Sequence, residues 1–192
     1  MLDEHGQDYI NRMQNAAKRM RTLITDLLTY SRVTTQAQPF VPVNLLKVAQ
    51  EVISDLDARI RSTGGRVELG DLPTIDADPT QMRQLLQNLI GNGLKFHRPE
   101  EGPVVKVEAR LLDQMCQITI QDNGIGFDIK YLDRILKIFQ RLHGRSQYEG
   151  TGIGLAICRK IVERHSGSIT AKSTLGQGAT FIVFLPRKES KS

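Results

Sequence analysis

The stretch that most constrains how this chain can fold is Gln84–Phe96, with Leu85, Leu86, Leu89, Ile90 and Leu94 recurring at helical spacing. That period predicts a helix with one face against a core. Asp78-Pro79 supplies a capping side chain and a first-turn proline, so the helix is expected to start at Pro79. Asn88, Asn92 and Lys95 then fall at i, i+4 and i+7 and share a second face. Amide oxygens suit a hard cation such as magnesium, and an ammonium beside them suits phosphate oxygens. Taken alone, the same face reads more readily as a solvated helix exterior.

Two glycine-rich stretches downstream change that balance. Asp122-Asn-Gly-Ile-Gly126 follows directly on an alternating strand, so the Asp122 carboxylate sits at a strand end, able to accept a hydrogen bond from an exocyclic amine. Gly124 and Gly126 allow backbone to approach a flat ring. A plain Asn-Gly turn is the competing reading, although no alternating strand follows it. In Gly150-Thr-Gly-Ile-Gly-Leu155 the glycines Gly150, Gly152 and Gly154 open a helix, expected over Thr151–His165, whose first amides can hold phosphate. The P-loop and the dinucleotide fingerprint both fail on spacing. The preceding polar loop, Gln140–Tyr148, has the look of a mobile lid carrying Arg141 and Arg145.

Along the chain, Ile10, Met13, Ala17, Met20, Ile24, Leu27 and Ser31 alternate spacings of three and four, a heptad seam on a helix from about Asp3 to Arg32. With no partner helix in its own sequence, that seam predicts a homodimer through residues 3–32, or a missing partner segment. Thr34–Pro42 reads as a linker, placing a boundary near residue 39 between a helical segment (1–39) and a domain (40–192). A helix is expected over Leu45–Arg61, with Leu46, Ala49, Val52, Ile53, Leu56 and Ile60 inward and Gly64-Gly65 stopping it. Short strands are expected at Arg66–Leu69 and Thr74–Ala77, a hairpin at Val104–Leu112 and Met115–Gln121, a helical stretch near Tyr131–Phe139, and closing strands at Gly167–Lys172 and Ala179–Leu185. The order predicts an α+β fold, a mixed sheet with helices packed on one face, preceded by one long amphipathic helix.

Composition narrows the function classes. The net charge of +5 and pI near 9.4 come from dispersed cations, and aromatics are only 5% of residues, which argues against nucleic-acid binding. Lys95, Arg98, Lys137, Arg141 and Arg145 lie in or between the pocket motifs, where an anionic ligand would use them. Cys116 and Cys158 sit in apolar surroundings, as reduced core thiols of a cytosolic protein do. No apolar run reaches membrane-span length, and no signal-peptide pattern opens the chain. His5, His97, His143 and His165 are scattered and suggest no zinc site.

The ordered set Asn88-Leu-Ile-Gly-Asn92-Gly-Leu-Lys-Phe96, Asp122-Asn-Gly-Ile-Gly126, Phe139, Gly150-Thr-Gly-Ile-Gly-Leu155 and Gly176-Gln-Gly-Ala-Thr180 resembles the ATP-binding region of sensor histidine kinases. That region belongs to the superfamily of gyrase, Hsp90 and MutL, with a two-layer, Bergerat-type sandwich. The resemblance covers roughly Phe40–Pro186. The helix ending Asp26-Leu-Leu-Thr-Tyr-Ser-Arg32 resembles the second helix of the kinase dimerisation domain. The resemblance implies magnesium (Mg2+) at Asn88 and Asn92 and ATP phosphate at Lys95. It implies adenine recognition by Asp122, with Phe96 against the ring, Gly124 and Gly126 close by and Thr180 near the base. Gly150, Gly152, Gly154 and Leu155 would border the phosphates, with Arg141 a lid cation acting beside Asn88 and Lys95. Gly93 stands where the family more often has alanine, which lowers helix propensity there.

Superfamily members that hydrolyse ATP carry a glutamate base one turn before the magnesium asparagine; here that position is Asn88, and an amide cannot take a proton from water. Transfer to a histidine that is itself the nucleophile is favoured instead. None of the four histidines lies in the family's acceptor sequence, and His5-Gly-Gln-Asp does not match it. The chain is therefore expected to begin after the acceptor helix, as a fragment whose phosphoacceptor histidine comes from a missing segment or another chain. The leading reading is the catalytic part of a two-component kinase that transfers the γ-phosphoryl group of ATP to that histidine and signals to a response regulator. The alternative is a nucleotide-dependent protein-interaction module without catalysis. A serine kinase of the same superfamily fits the heptad helix poorly.

Overall fold

A computed structural model describes residues 4–142, 148 and 150–187. The elements run α1 (Glu4–Thr35), β1 (Val41–Asn44), α2 (Leu45–Asp55), α3 (Asp57–Thr63), β2 (Arg66–Leu69), β3 (Thr74–Ala77), α4 (Pro79–Lys95), β4 (Val104–Leu111) and β5 (Met115–Asp122). A 3-10 turn at Ile129–Tyr131 leads into α5 (Leu132–Ile135), α6 (Gly154–Arg164), β6 (Ser168–Ser173) and β7 (Ala179–Pro186).

The main sheet has the order β2-β4-β5-β7-β6; β2 and β4 are parallel and the other pairs antiparallel, so the sheet is mixed as expected. Period-two alternation sends one set of side chains to the helix layer. Val107, Ile120, Phe181 and Ala171 stand in one cross-strand row, and Ala109, Ile118, Val183 and Ile169 in the next. The intervening Lys106, Glu108 and Arg110 are exposed on the other face. Over the apolar face lie α4, with Met82, Leu85, Leu86, Leu89, Ile90 and Leu94 at 1% exposure or less, and α6, with buried Ala156, Ile157, Ile161 and Val162. Cys116 and Cys158 are buried free thiols; burial pushes them up to about 11 and about 12, so they stay protonated.

Several local expectations are corrected. The helix foreseen over Leu45–Arg61 is broken at Leu56 (φ −92°, ψ 2°), whose N–H reaches the carbonyls of both Val52 and Ile53, closing α2 before α3 begins. Leu46 faces out at 38% exposure, and Leu45 and Val48 fill the core beside Ala49 and Val52. The Asn44 side chain accepts from Lys47 N at 3.0 Å, and this cap sets the rotation of α2. The stretch near Tyr131–Phe139 is α-helical only over Leu132–Ile135, and it ends in a Phe139 with φ 61°, outside the helical region. Helix α6 starts at Gly154 rather than Thr151, since Gly150 and Gly152 both take positive φ (143° and 76°).

Helix α1 lays the end of one face on the domain. The Gln81 Nε2 amide donates to Val33 O at 2.8 Å, and Lys160 Nζ donates to Tyr30 O at 3.0 Å. Its heptad seam stays uncovered: Met13, Met20, Ile24 and Leu27 are 65%, 59%, 60% and 48% exposed. Beyond α1 the chain is pinned by a polar knot. Asp78 Oδ1 caps α4 through Gln81 N at 3.1 Å, and Oδ2 accepts from Gln38 N at 2.8 Å and Arg164 at 3.2 Å. Phe40 stacks on the buried His165 ring at 4.4 Å; Nε2 of that ring accepts from Asp78 N, and Nδ1 donates to Ile161 O. No helix among the described residues is long and apolar enough to cross a membrane.

Two predictions follow from this packing. A Cβ at Gly93 would lie 2.7 Å from Val105 Cγ2 and 3.2 Å from Asp122 Cβ. Gly93→Ala therefore sets about 1 kcal/mol of helix propensity against about 1–3 kcal/mol of overpacking beside a stiff β-branched neighbour. We expect a net loss of about 1 kcal/mol in denaturant melts; a variant as stable as wild type would show that helix and sheet separate freely. Burial, reinforced by the neighbouring Arg164 charge, holds the His165 imidazole below its ordinary 6.5, against the opposing pull of its Ile161 hydrogen bond and Asp78. The unfolded chain then binds a proton that the folded chain resists, so this stabilisation is complete above about pH 6.5 and is lost as pH falls through the depressed value. The stability gap between wild type and His165→Gln should narrow as the pH is lowered from 7.5 to 5; parallel curves would refute the assignment.

Candidate functional site

The site forms where the C-terminal half of α4, the end of β5 and the start of α6 meet. As the periodicity requires, Asn88, Asn92 and Lys95 lie on one half-buried face of α4, opposite the core leucines. Gln84, one turn earlier, donates from Nε2 to Asn88 Oδ1 at 3.3 Å, and Asn88 Nδ2 donates to Gly154 O at 3.2 Å. Asn88 thus bridges α4 to the first residue of α6. The Asn92 amide has no hydrogen-bond partner among the described residues, and its oxygen is available to a cation. Lys95 Nζ sits 4.3 Å from the centroid of the Phe96 ring and reaches Gly150, where a Cβ would lie 2.6 Å from it.

Asp122 closes β5 at the other end of the same cleft. Its Oδ1 accepts from Gly124 N at 2.8 Å and Ala179 N at 3.2 Å, which leaves Oδ2 without a donor among the described residues. Burial raises the carboxyl above its ordinary value, and these two N–H groups oppose that shift. Thr180 stands beside it on β7, opposite Gln121. The glycines around Asp122 are packed against protein backbone: a Cβ at Gly124 would run into the Phe96 carbonyl, one at Gly126 (φ 60°) into the Thr174 carbonyl, and one at Gly178 into the Asp122 carbonyl.

The loop Gly150–Ile153 forms the third wall. Helix α6 has no side-chain cap, so the amides of its first turn have not been claimed by a capping residue. Leu155 is half-buried against the core. The Arg141 guanidinium donates to the carbonyls of Gly150 and Tyr148, bracing this loop from below Gly152, and the Tyr148 ring lies 5.0 Å from Phe96. The cations expected together are divided: Lys95 and Arg141 are at the loop, Arg98 pairs with Glu101, and exposed Lys137 lines a separate cleft with Tyr30 and Lys160. Arg145 and His143 lie outside the described residues.

Sequence reasoning missed Gln84, Tyr148 and the pair formed by Asp26 and Thr151, whose hydroxyl donates to the Asp26 carboxylate. Gln84 could have been found, since it occupies i−4 of Asn88 on the same face. Asp26 lies 125 residues from Thr151 and carries no local signal.

The amide and ammonium face, the strand-end carboxylate and the uncapped helix start fit an anionic ligand with a base at one end and phosphates at the other. Over 185 residues the chain is 44% identical to cyanobacterial phytochrome A of Nostoc sp. (strain PCC 7120), an alignment covering 96% of this chain and 24% of that protein. It is 34% identical over 174 residues to the adaptive-response sensory kinase SasA of Synechococcus elongatus, covering 88% and 45%. The chain therefore spans less than half the length of either relative. The crystal structure of full-length ShkA in complex with AMPPNP superposes with a TM-score of 0.78 at 25% identity, covering all of this chain and 41% of that one. Residues 77–189, which hold every element of the cleft, match the family described as histidine kinase-, DNA gyrase B- and HSP90-like ATPase, and the chain belongs to that family.

Proposed function

We propose that this chain is the ATP-binding catalytic part of a two-component sensor histidine kinase, transferring the γ-phosphoryl group of ATP to a histidine on another segment or chain. The observation that carries this reading is the convergence of Asn92, Lys95 with Gly150, and Asp122 on one cleft at the end of the sheet. The residues present fit the nucleotide and its metal. Asn88 and Asn92 are the amide ligands for magnesium, Lys95 and the first amides of α6 take phosphate oxygens, and Gly150, Gly152, Gly154 and Leu155 wall that end. Asp122 accepts from the exocyclic amine of adenine, Thr180 and the Gly124–Gly126 turn flank the base, and Phe96 meets its ring. Magnesium supplies charge neutralisation on the transferring phosphoryl group.

Asn88 holds the loop through Gly154 and offers no base, so water is not activated and a histidine nucleophile is awaited. Arg141, positioned at Gly150 O, is the cation that accompanies loop movement. The chain's own His165 is an unsuitable acceptor because it is buried with both ring nitrogens engaged. We assign residues 1–39 to partner contact, with the exposed seam of α1 as the homodimer surface, and 40–192 to the nucleotide unit. The place of action is the cytoplasm, and the downstream partner is a response regulator.

Calorimetric titration with AMPPNP tests the site. Wild type should bind with a magnesium-dependent affinity, and Asp122→Asn should bind about ten-fold or more weakly, the loss expected for a hydrogen bond to a charged group. Asn92→Ala should lose the magnesium dependence and fail to form phosphohistidine on an added acceptor-helix polypeptide. Tight binding with no transfer by wild type would overturn the kinase reading. For the seam, sedimentation of wild type should report a dimer and of Ile24→Glu/Leu27→Glu a monomer; dimers persisting in that variant would reject α1 as the interface.

A further inference from the structure

The docked face of α1 carries more than packing. Asp26, Tyr30 and Val33 follow one another at i, i+4 and i+7, so they form one stripe. Each meets a different element of the domain, and Asp26 reaches the nucleotide cleft itself. Asp26 accepts the hydroxyl proton of Thr151 in the glycine loop. Tyr30 takes Lys160 of α6, through its carbonyl at 3.0 Å and its ring at 4.1 Å. Val33, 4% exposed, offers its carbonyl to Gln81 of α4 at 2.8 Å. At 100° per residue this stripe lies about 120° around the helix from the uncovered seam of Met13, Met20, Ile24 and Leu27. The same helix can therefore hold a partner on one side and the glycine loop on the other.

Thr151 lies between Gly150, which abuts Lys95, and Gly152, which abuts Arg141. Its hydroxyl carries one proton, and a proton donated to Asp26 cannot also be donated to a phosphate oxygen. The Asp26 carboxylate also brings a negative charge to the loop that would receive the phosphates, while Lys95 and Arg141, beside the flanking Gly150 and Gly152, bring positive charge. Asp26 therefore acts on the loop in the opposite sense to the two cations.

We propose that Asp26 is a positioning residue for the nucleotide loop, contributed by the long helix: it holds Thr151 in competition with phosphate, so that docking of α1 and binding of nucleotide oppose each other. The proposal rests on the nucleotide reading of the cleft given above. Because linkage is reciprocal, nucleotide must loosen the Asp26–Tyr30–Val33 stripe by the same factor by which the stripe weakens nucleotide. A rotation of α1 by one residue, about 100°, would remove all three contacts together.

The test compares AMPPNP affinity, with magnesium, of the full chain and of Asp26→Ala, which keeps helix propensity high. The expected result is about five-fold tighter binding by Asp26→Ala, the lower end of coupling between linked sites, shrinking to less than about two-fold when the substitution is made in a Thr151→Val background. Hydrogen exchange of amides 26–35 in wild type should speed up on adding AMPPNP. Equal or weaker binding by Asp26→Ala overturns the inference, as does an undiminished gain with Thr151→Val, which would reduce Asp26 to a general field effect. Unchanged exchange at saturating AMPPNP overturns it too. Absence of binding by every variant refutes the nucleotide reading itself, and this inference with it, and so stands apart from the other failures.

Discussion

The close packing of Gly93 against Val105 and Asp122 fixes the spacing on which the rest of the site depends. Without a Cβ at that position α4 settles onto the sheet, with Val105 Cγ2 only 2.7 Å from where one would stand. Asn92 and Lys95, flanking Gly93 on the same helix, are thereby held at a set height above the Asp122 strand end. A side chain there would lift the amide and ammonium groups away from the carboxylate. The same device recurs in the loops: Gly124 lies on the Phe96 carbonyl, Gly126 on that of Thr174 and Gly178 on that of Asp122. Ile125 N donates to Phe96 O at 2.9 Å and Gly176 N to Ile125 O at 2.7 Å, so these close approaches are tied by backbone hydrogen bonds. The floor of the cleft is thus backbone packed on backbone, with little freedom to rearrange.

The opposite wall is built on other principles. The loop from Gly150 to Ile153 is held by side chains: Asn88 at Gly154 O, Arg141 at Gly150 O and Asp26 at Thr151, with Lys95 packed beside Gly150. The three hydrogen bonds lie at half-buried or exposed positions, where exchange with water or ligand costs little compared with the buried leucine rows of α4. A rigid floor and an exchangeable wall follow from which contacts are backbone and which are side chain.

What the sequence made legible tracks how local the determining physics is. The two faces of α4, its Asp78 cap, the β4–β5 hairpin and the closing strands are written in periods of 3.6 and 2, and all are found where expected. The break at Leu56 was hidden because apolar residues continue at helical spacing through it, and only the competition of two carbonyls for one N–H ends the helix. The late start of α6 turned on positive φ at Gly150 and Gly152, which spacing does not encode. Gly93 read locally as a helix-weakening residue, and its role emerges only from the strand across from it. Contacts such as Asp26 with Thr151 or Gln38 with Asp78 join distant segments and leave no trace in any window of the chain.

Charge is arranged along the cleft as well as shape. At one end stands a single carboxylate, Asp122, desolvated enough to be shifted upward and retaining one oxygen for a donor. At the other stand Lys95, Arg141 and the uncapped first turn of α6, positive in sign and opposed there by the Asp26 carboxylate at Thr151. A ligand with a polyanion at one end and a hydrogen-bond-donating base at the other is favoured by this field in one orientation, with the polyanion toward the cations. Reversing it would set phosphate against Asp122 and leave the cations facing a neutral ring. The polarity of the cleft, set by where β5 ends and where α6 begins, therefore favours the orientation of the proposed reading, with the anionic end of a ligand toward the glycine loop.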